Sequence, residues 1–175
     1  MYAEMVAFAE LPSPPGTRFG PVRLVAETGS TNADLLERAR SGEPSGSVLV
    51  TDHQRAGRGR QRRVWHDEPG NSLLVSVLLR PRPDDAPLLP LITGLAALDA
   101  VAAVLGSTGD TGPAAPVGLK WPNDVLVPSA GERKLAGILA EASSTGRRAG
   151  PGGSTGSGSA GAAEASDLVV VVGMG

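Results

Sequence analysis

Cysteine is absent from the sequence, which excludes a disulfide framework and a thiolate metal site and fits a reducing compartment. Aromatic residues make up only 3% of the chain, too few to interleave stacking platforms for single-stranded nucleic acid. No uninterrupted apolar run approaches the ~20 residues that cross a bilayer, so no membrane partner is expected. The stretch 1–20 carries acids and prolines where a signal peptide would carry basic residues and an apolar core. A cytoplasmic protein is the expectation. A net charge of −2 argues against general nucleic-acid binding and leaves room only for a local basic patch.

Lysine is the other scarcity: two residues, Lys120 and Lys134, stand against fourteen arginines. Lys is a compact charge on a flexible stem and Arg a planar fork, so they do not exchange where one oxygen must be reached from one direction. Both lysines sit in short runs with a chemical cast, Lys120-Trp121-Pro122-Asn123-Asp124 and Arg133-Lys134-Leu135-Ala136-Gly137. They are the first site candidates. The basic patch itself is Gln54 to Arg63, where five arginines fall in nine positions from Arg55 and no acid lies between Asp52 and Asp67. Gly57 and Gly59 let backbone N–H groups approach an anion, and Arg binds phosphate or carboxylate through paired hydrogen bonds. The loop is expected to close on an anionic ligand.

The 175 residues suggest one domain with a substantial core. Val22 to Val25 reads as a strand, and a helix follows from Ser30-Thr31-Asn32 to Gly42, with Thr31 and Asp34 spaced as a capping pair. Ser47 to Thr51 and Asn71 to Leu79 read as strands flanking the arginine loop, the second apolar enough to be covered on both faces. Leu88 to Leu105 predicts a helix with one buried face, interrupted at Gly94. Gly106 to Pro116 reads as loop. Short strands at Val117 to Trp121 and Val125 to Val127 flank a turn, and Lys134 to Glu141 and Asp167 to Val172 complete the set. Ser144 to Ser166, with seven glycines, has the composition of a flexible linker. The class is α+β, with a mixed, mainly antiparallel sheet and flanking helices.

Five pieces in this order, Ser30-Thr31-Asn32, Gln54 to Arg60 with Trp65 beyond, Lys120 to Asp124, Arg133 to Leu139 and Gly173-Met174-Gly175, resemble the biotin protein ligases. Several motifs in register are far more specific than any one of them. The resemblance implies the class II aminoacyl-tRNA synthetase-like catalytic fold over residues 22–175, with 1–21 an N-terminal extension. It implies formation of biotinyl-5′-AMP from biotin and ATP, with Mg²⁺, and transfer of biotin to a lysine of a biotin carboxyl carrier protein such as that of acetyl-CoA carboxylase. By the same resemblance Ser30, Thr31, Asn32 and Gln54 meet the biotin head, Gly57 and Gly137 allow close approach, and Gly173 and Gly175 wall the pocket. Arg58, Gly59 and Arg60 clamp carboxylate and α-phosphate, with Lys134 the central cation, and Arg58, Arg60 and Lys134 carry the catalysis. Arg63, Trp65, Lys120, Asn123 and Asp124 belong to the nucleotide side, Asp124 as the one candidate for Mg²⁺ in the absence of a direct metal motif.

Joining a carboxylate to a phosphate brings two anions together, so a cluster of cations is what the chemistry needs. His53 and His66 lack a metal-ligand partner at useful spacing and are expected to be peripheral. Trp121 reads as a core residue that holds its turn. Two departures from the resemblance stand out: Arg62 occupies a place where glycine is usual, and the Ile-Asn pair, helices and small β-domain that follow Gly-x-Gly are missing. A catalytic domain incomplete at its C-terminus is therefore expected. The short N-terminal segment has no room for a winged helix, so a monofunctional enzyme without DNA binding is favoured, and a homodimer through sheet edges stays open. The alternatives are a lipoate-type acyl ligase and a noncatalytic biotin- or carrier-binding fragment.

Overall fold

The computed structural model describes residues 9–107, 117–127, 133–144 and 168–175. Among them, eight strands form one sheet: β1 (Ala9–Leu11), β2 (Val22–Leu24), β3 (Val48–Thr51), β4 (Leu74–Leu79), β5 (Gly118–Lys120), β6 (Asp124–Val127), β7 (Arg133–Ser144) and β8 (Leu168–Met174). Their spatial order is β1-β2-β3-β4-β8-β7-β6-β5. Every pairing is antiparallel except β2 with β3. That parallel pair requires a crossover, supplied by α1 (Thr31–Arg40). The second helix, α2 (Leu89–Ser107), enters through a 3₁₀ segment at Pro83–Leu88. The expected α+β class with a mixed, mainly antiparallel sheet is what the chain adopts.

β8 explains the layering. Its run Val169 to Val172 is buried on both faces: Val169 and Val171 join Leu35 and Ala39 of α1 with Leu49 and Leu78, while Val170 and Val172 join Ala97 of α2 with Val125 and Ile138. Period-two alternation sends neighbouring valines to opposite helices, so an unbroken apolar run is required here. Strand β4 alternates instead, its buried positions 74, 76 and 78 facing α1 and the others half-buried.

Several expectations change. Strand β1 lies inside the predicted N-terminal extension, too short and polar to show periodicity, and pairs with β2. The last strand runs through Met174, beyond the predicted end at Val172. Ser30, not Thr31, is the N-cap of α1: its Oγ accepts the Ala33 N–H at 3.4 Å, while the Asp34 carboxylate takes the Thr28 hydroxyl. Helix α2 is much less buried than predicted. Gly94 and Ala97 contact the sheet with half-buried Leu89 and Leu98 packed beside them, but Leu91, Ile92 and Leu95 are exposed, because no second layer covers the outer face of the helix. The segment Pro83–Val104 is long and apolar enough, by length and composition, to cross a membrane, although Asp84, Asp85 and Asp99 break it into shorter apolar runs. Trp121 is 79% exposed rather than core, since its turn projects past the end of edge strand β5, where no layer covers it. The glycine-rich linker expected at 144–166 lies outside the described residues from 145 on, as does the 106–116 loop from 108 on.

Candidate functional site

A cavity of about 470 Å³ opens where the start of α1, the arginine loop, the β6 turn, β7 and the end of β8 meet. Its floor is polar. Ser30, Thr31 and Asn32 are each at least 95% buried, held there because the parallel crossover aims the helix N-terminus across the sheet. Gln54 Oε1 accepts from the Thr31 N–H at 2.8 Å and lies 2.9 Å from its hydroxyl. Asn32 is engaged on both sides of its amide: Nδ2 donates to Glu141 at 2.9 Å, and Oδ1 lies 2.7 Å from the Ser76 hydroxyl. Gly173 lies against Asn32 so closely that a Cβ there would overlap the amide oxygen. Gly137 of β7 and Gly175, the residue after β8, exchange hydrogen bonds of 2.7 and 3.2 Å.

The arginine loop is a tight hairpin. Trp65 N–H donates to Gly57 O at 3.0 Å and Gly59 N–H to Arg63 O at 2.8 Å, around a 3₁₀ turn at Arg60–Arg62. Gln61 and Arg62 close it with φ of +55° and +61°, the left-handed region that disfavours side chains. The resemblance already singled out position 62 as one usually held by glycine. At the hairpin base the Asp67 carboxylate, 1% exposed, accepts from the Gln54 N–H at 3.2 and 3.3 Å and sits 2.8 Å from His53 Nδ1. His53, expected to be peripheral, thus helps hold the segment that carries Gln54. His66 is exposed.

Cations line the opposite wall. Arg60 Nη1 donates to Asn123 Oδ1 at 3.0 Å, and Asn123 in turn donates to the Ile138 carbonyl at 3.1 Å, tying hairpin to sheet. Lys134 Nζ stands 2.8 Å from Asp124 Oδ1 and 5.0 Å from the Trp65 ring centroid. A β-bulge between Val125 and Leu126 sets this register, since Lys134 pairs with Leu126 yet reaches Asp124. Its stem folds over Gly137, where a Cβ would stand 2.8 Å from Nζ. Arg58 and Arg63 also line the cavity and make no ion pair with a carboxylate among the described residues. The result is a cationic cluster with one carboxylate, facing a neutral hydrogen-bonding floor.

Most residues expected at the site meet in this cavity. Two do not, and one of them is Gly57, which lies under the hairpin, where a Cβ would stand 2.9 Å from Trp65 O. Lys120 lies on β5 and is not part of the lining. Sequence reasoning missed Val64, Leu74, Ile138, Leu139 and Met174, the aliphatic part of the lining, together with Ser76, Asp67 and Glu141 behind it. The only sequence cue was a polar residue inside an apolar run, as Ser76 is between Val75 and Val77.

The family model for biotin/lipoate A/B protein ligases matches residues 24–151. A biotin–[acetyl-CoA-carboxylase] ligase of Mycobacterium tuberculosis is 46% identical over 132 residues, covering 72% of this chain and 46% of that protein. The bifunctional ligase/repressor BirA of Bacillus subtilis is 40% identical over 114 residues, 64% of this chain and 32% of the relative. Among solved structures, biotin protein ligase from Leishmania major in complex with biotinyl-5-AMP aligns with TM-score 0.59 and 27% identity, covering 87% of this chain and 56% of that one. The Aquifex aeolicus enzyme in complex with biotin and ATP aligns with TM-score 0.55 and 29% identity, over 87% of this chain and 50% of that one. The chain spans about half the length of these relatives, or less. It belongs to the biotin/lipoate A/B protein ligase family.

Proposed function

We propose that this family member is the catalytic part of an ATP-dependent biotin ligase. The observation that carries the reading is the cavity itself, a neutral floor of Thr31 and Gln54 facing Arg58, Arg60, Arg63 and Lys134. A cyclic urea needs paired hydrogen-bond partners in a desolvated pocket, and a carboxylate meeting a triphosphate needs concentrated positive charge. In the first step a biotin carboxylate oxygen attacks the α-phosphorus, the bond to the bridging oxygen breaks, and pyrophosphate leaves. Lys134 is held by Asp124 and Trp65 at the junction of floor and cationic wall, so it meets the charge that builds on the carboxylate and α-phosphate oxygens. In the second step a carrier lysine amine attacks the mixed anhydride and AMP leaves.

Mg²⁺ fits this donor set as an ion held mainly by phosphate oxygens. Asp124 is the one carboxylate in the lining, and Mg²⁺ is commonly bound by one or two carboxylates plus substrate phosphates. It would neutralise charge on the leaving pyrophosphate. The carrier domain of a biotin-dependent carboxylase is the natural acceptor. A cytoplasmic location follows from the same reading, because that is where ATP and such carriers meet.

Biotin-dependent ATP–pyrophosphate exchange by the purified chain tests the reading. Exchange is expected, with a loss of about a hundredfold or more in Lys134→Ala, the scale of removing one transition-state contact. Exchange unchanged in that variant would overturn the role of Lys134, and none from the folded parent would overturn the ligase reading.

A further inference from the structure

Trp121 and Arg62 belong to the two elements that a single hydrogen bond joins at the cavity wall. Arg60 Nη1 donates to Asn123 Oδ1 at 3.0 Å, and this contact ties the arginine hairpin to the turn between β5 and β6. Trp121 precedes Asn123 by two positions and Arg62 follows Arg60 by two, so each Cα lies within about 7 Å of the Cα of a residue that lines the cavity. Neither is itself part of the lining. Trp121 is 79% exposed and Arg62 is exposed as well, which places both on the outer rim of the mouth.

Both side chains are held there at a cost. An indole left in water forgoes the burial that a ring of this size ordinarily gains. Arg62 sits at φ +61°, where a side chain strains the backbone and glycine does not. Arg62 makes no ion pair with a carboxylate among the described residues. Its neighbours Arg58, Arg60 and Arg63 are exposed too, and Asp124, the one carboxylate in the lining, is engaged by Lys134. The rim therefore sets an aromatic face beside uncompensated positive charge, and Trp and Arg are the side chains enriched where protein interfaces concentrate their binding energy.

In the ligase reading biotin and the nucleotide meet inside the cavity, whereas the second step needs an amine that arrives on a protein. A lysine stem is four carbons long, so the acceptor's backbone has to come up to the mouth before its amine can reach the mixed anhydride. The acceptor is then the body that touches the rim. Arginine forks pair with carboxylates through two hydrogen bonds, and like charges across an interface repel. We infer that Trp121 and Arg62 form the docking surface for the acceptor protein, which carries carboxylates beside its lysine and an apolar patch for the indole. The inference rests on the biotin ligase reading and deepens it, because it gives the carrier domain a face to bind.

The test separates adenylate formation from transfer in the purified chain. Biotinyl-5′-AMP formed on the enzyme is offered either a recombinant carrier domain of acetyl-CoA carboxylase or hydroxylamine, which gives the hydroxamate and AMP and is too small to need docking. Trp121→Ala and Arg62→Glu are each expected to lower kcat/KM for the carrier domain about tenfold, the scale of losing an interface anchor, and Arg62→Glu to weaken its salt dependence. Trp121→Phe and Arg62→Lys keep the ring and the charge and are expected to stay within about threefold of the parent. Pyrophosphate exchange and hydroxylamine trapping are expected to be unchanged in all four. Parental transfer to the carrier domain by a folded Trp121→Ala or Arg62→Glu overturns the inference and leaves the ligase reading intact. A fall in exchange that matches the fall in transfer assigns the side chain to the nucleotide and also overturns it, as does a parent that forms the adenylate and leaves the carrier domain unmodified. A parent that forms no adenylate overturns both.

Discussion

At the residue scale, the site depends on atoms that are missing as much as on those present. Gly137 has no side chain where Lys134 crosses it, and a Cβ would stand 2.8 Å from Nζ, 3.0 Å from the Lys134 Cε and 3.0 Å from Trp65 Cζ3. The lysine end can swing aside while the Trp65 ring must shift, so Gly137→Ala is expected to fold with about 1–3 kcal/mol lost. The ammonium must move away from Asp124, and pyrophosphate exchange is expected to fall by about a hundredfold, the scale of a 1 Å misplacement at a reacting centre. Parental exchange rates from the variant would show that the position of Lys134 is not tuned. The sequence displayed Lys134 and Gly137 because they sit in one motif. Ser76, Asp67 and Glu141 escaped notice because each acts on a residue far away in the chain, and a lone polar residue in a strand carries no spacing to read.

At the element scale, the arginine hairpin and the β1-β2 edge each hold a testable feature. Arg62 adopts φ +61°, so glycine there should be as stable as alanine or better by about 1 kcal/mol, reversing the usual order of the two. Denaturant unfolding of Arg62→Gly and Arg62→Ala decides it. At the edge, Arg23 of β2 bonds Glu43, which follows α1, and also pairs with Glu10 of β1. Burial pushes the Glu43 carboxyl up, but hydrogen bonds from Arg23 and Ser47 and the charge of Arg23 outweigh it, so its pKa falls below the usual carboxylate value. With a depressed folded pKa, the unfolded chain protonates first as pH drops. The stabilisation is therefore complete above the ordinary glutamate range of about 4.3 and is lost as pH falls through the lower folded value. Glu43→Gln is expected to flatten the acid limb of a stability–pH curve, and an unaltered limb would remove this pair from the account. The Arg23 shift is upward, with the Glu43 hydrogen bond its largest cause, and adds nothing in the acid range.

At the scale of the whole molecule, the cavity gathers residues from Ser30 to Gly175 across elements that touch both core layers, so a ligand there braces the entire sheet. Biotin at about a hundred times its dissociation constant should add about 2.7 kcal/mol to unfolding, read as a rise in Tm that grows with ligand concentration. A Tm indifferent to biotin would place binding elsewhere or nowhere. The sequence alone determined the α+β class, most strand positions and the motifs at the site, because turn residues, apolar runs and clustered charge act locally and leave local marks. Tertiary structure decided which lysine faces the cavity: Lys134 meets Asp124 across a bulge, while Lys120 stays on the edge strand β5. It also decided that Trp121 is bare, that α2 lies shallowly on the sheet, and that Glu141 sits behind Asn32. Register and layer coverage join residues far apart in the chain, and a single side-chain hydrogen bond spans 109 positions. Their energies are set by what lies opposite in space, which no local pattern in the chain records.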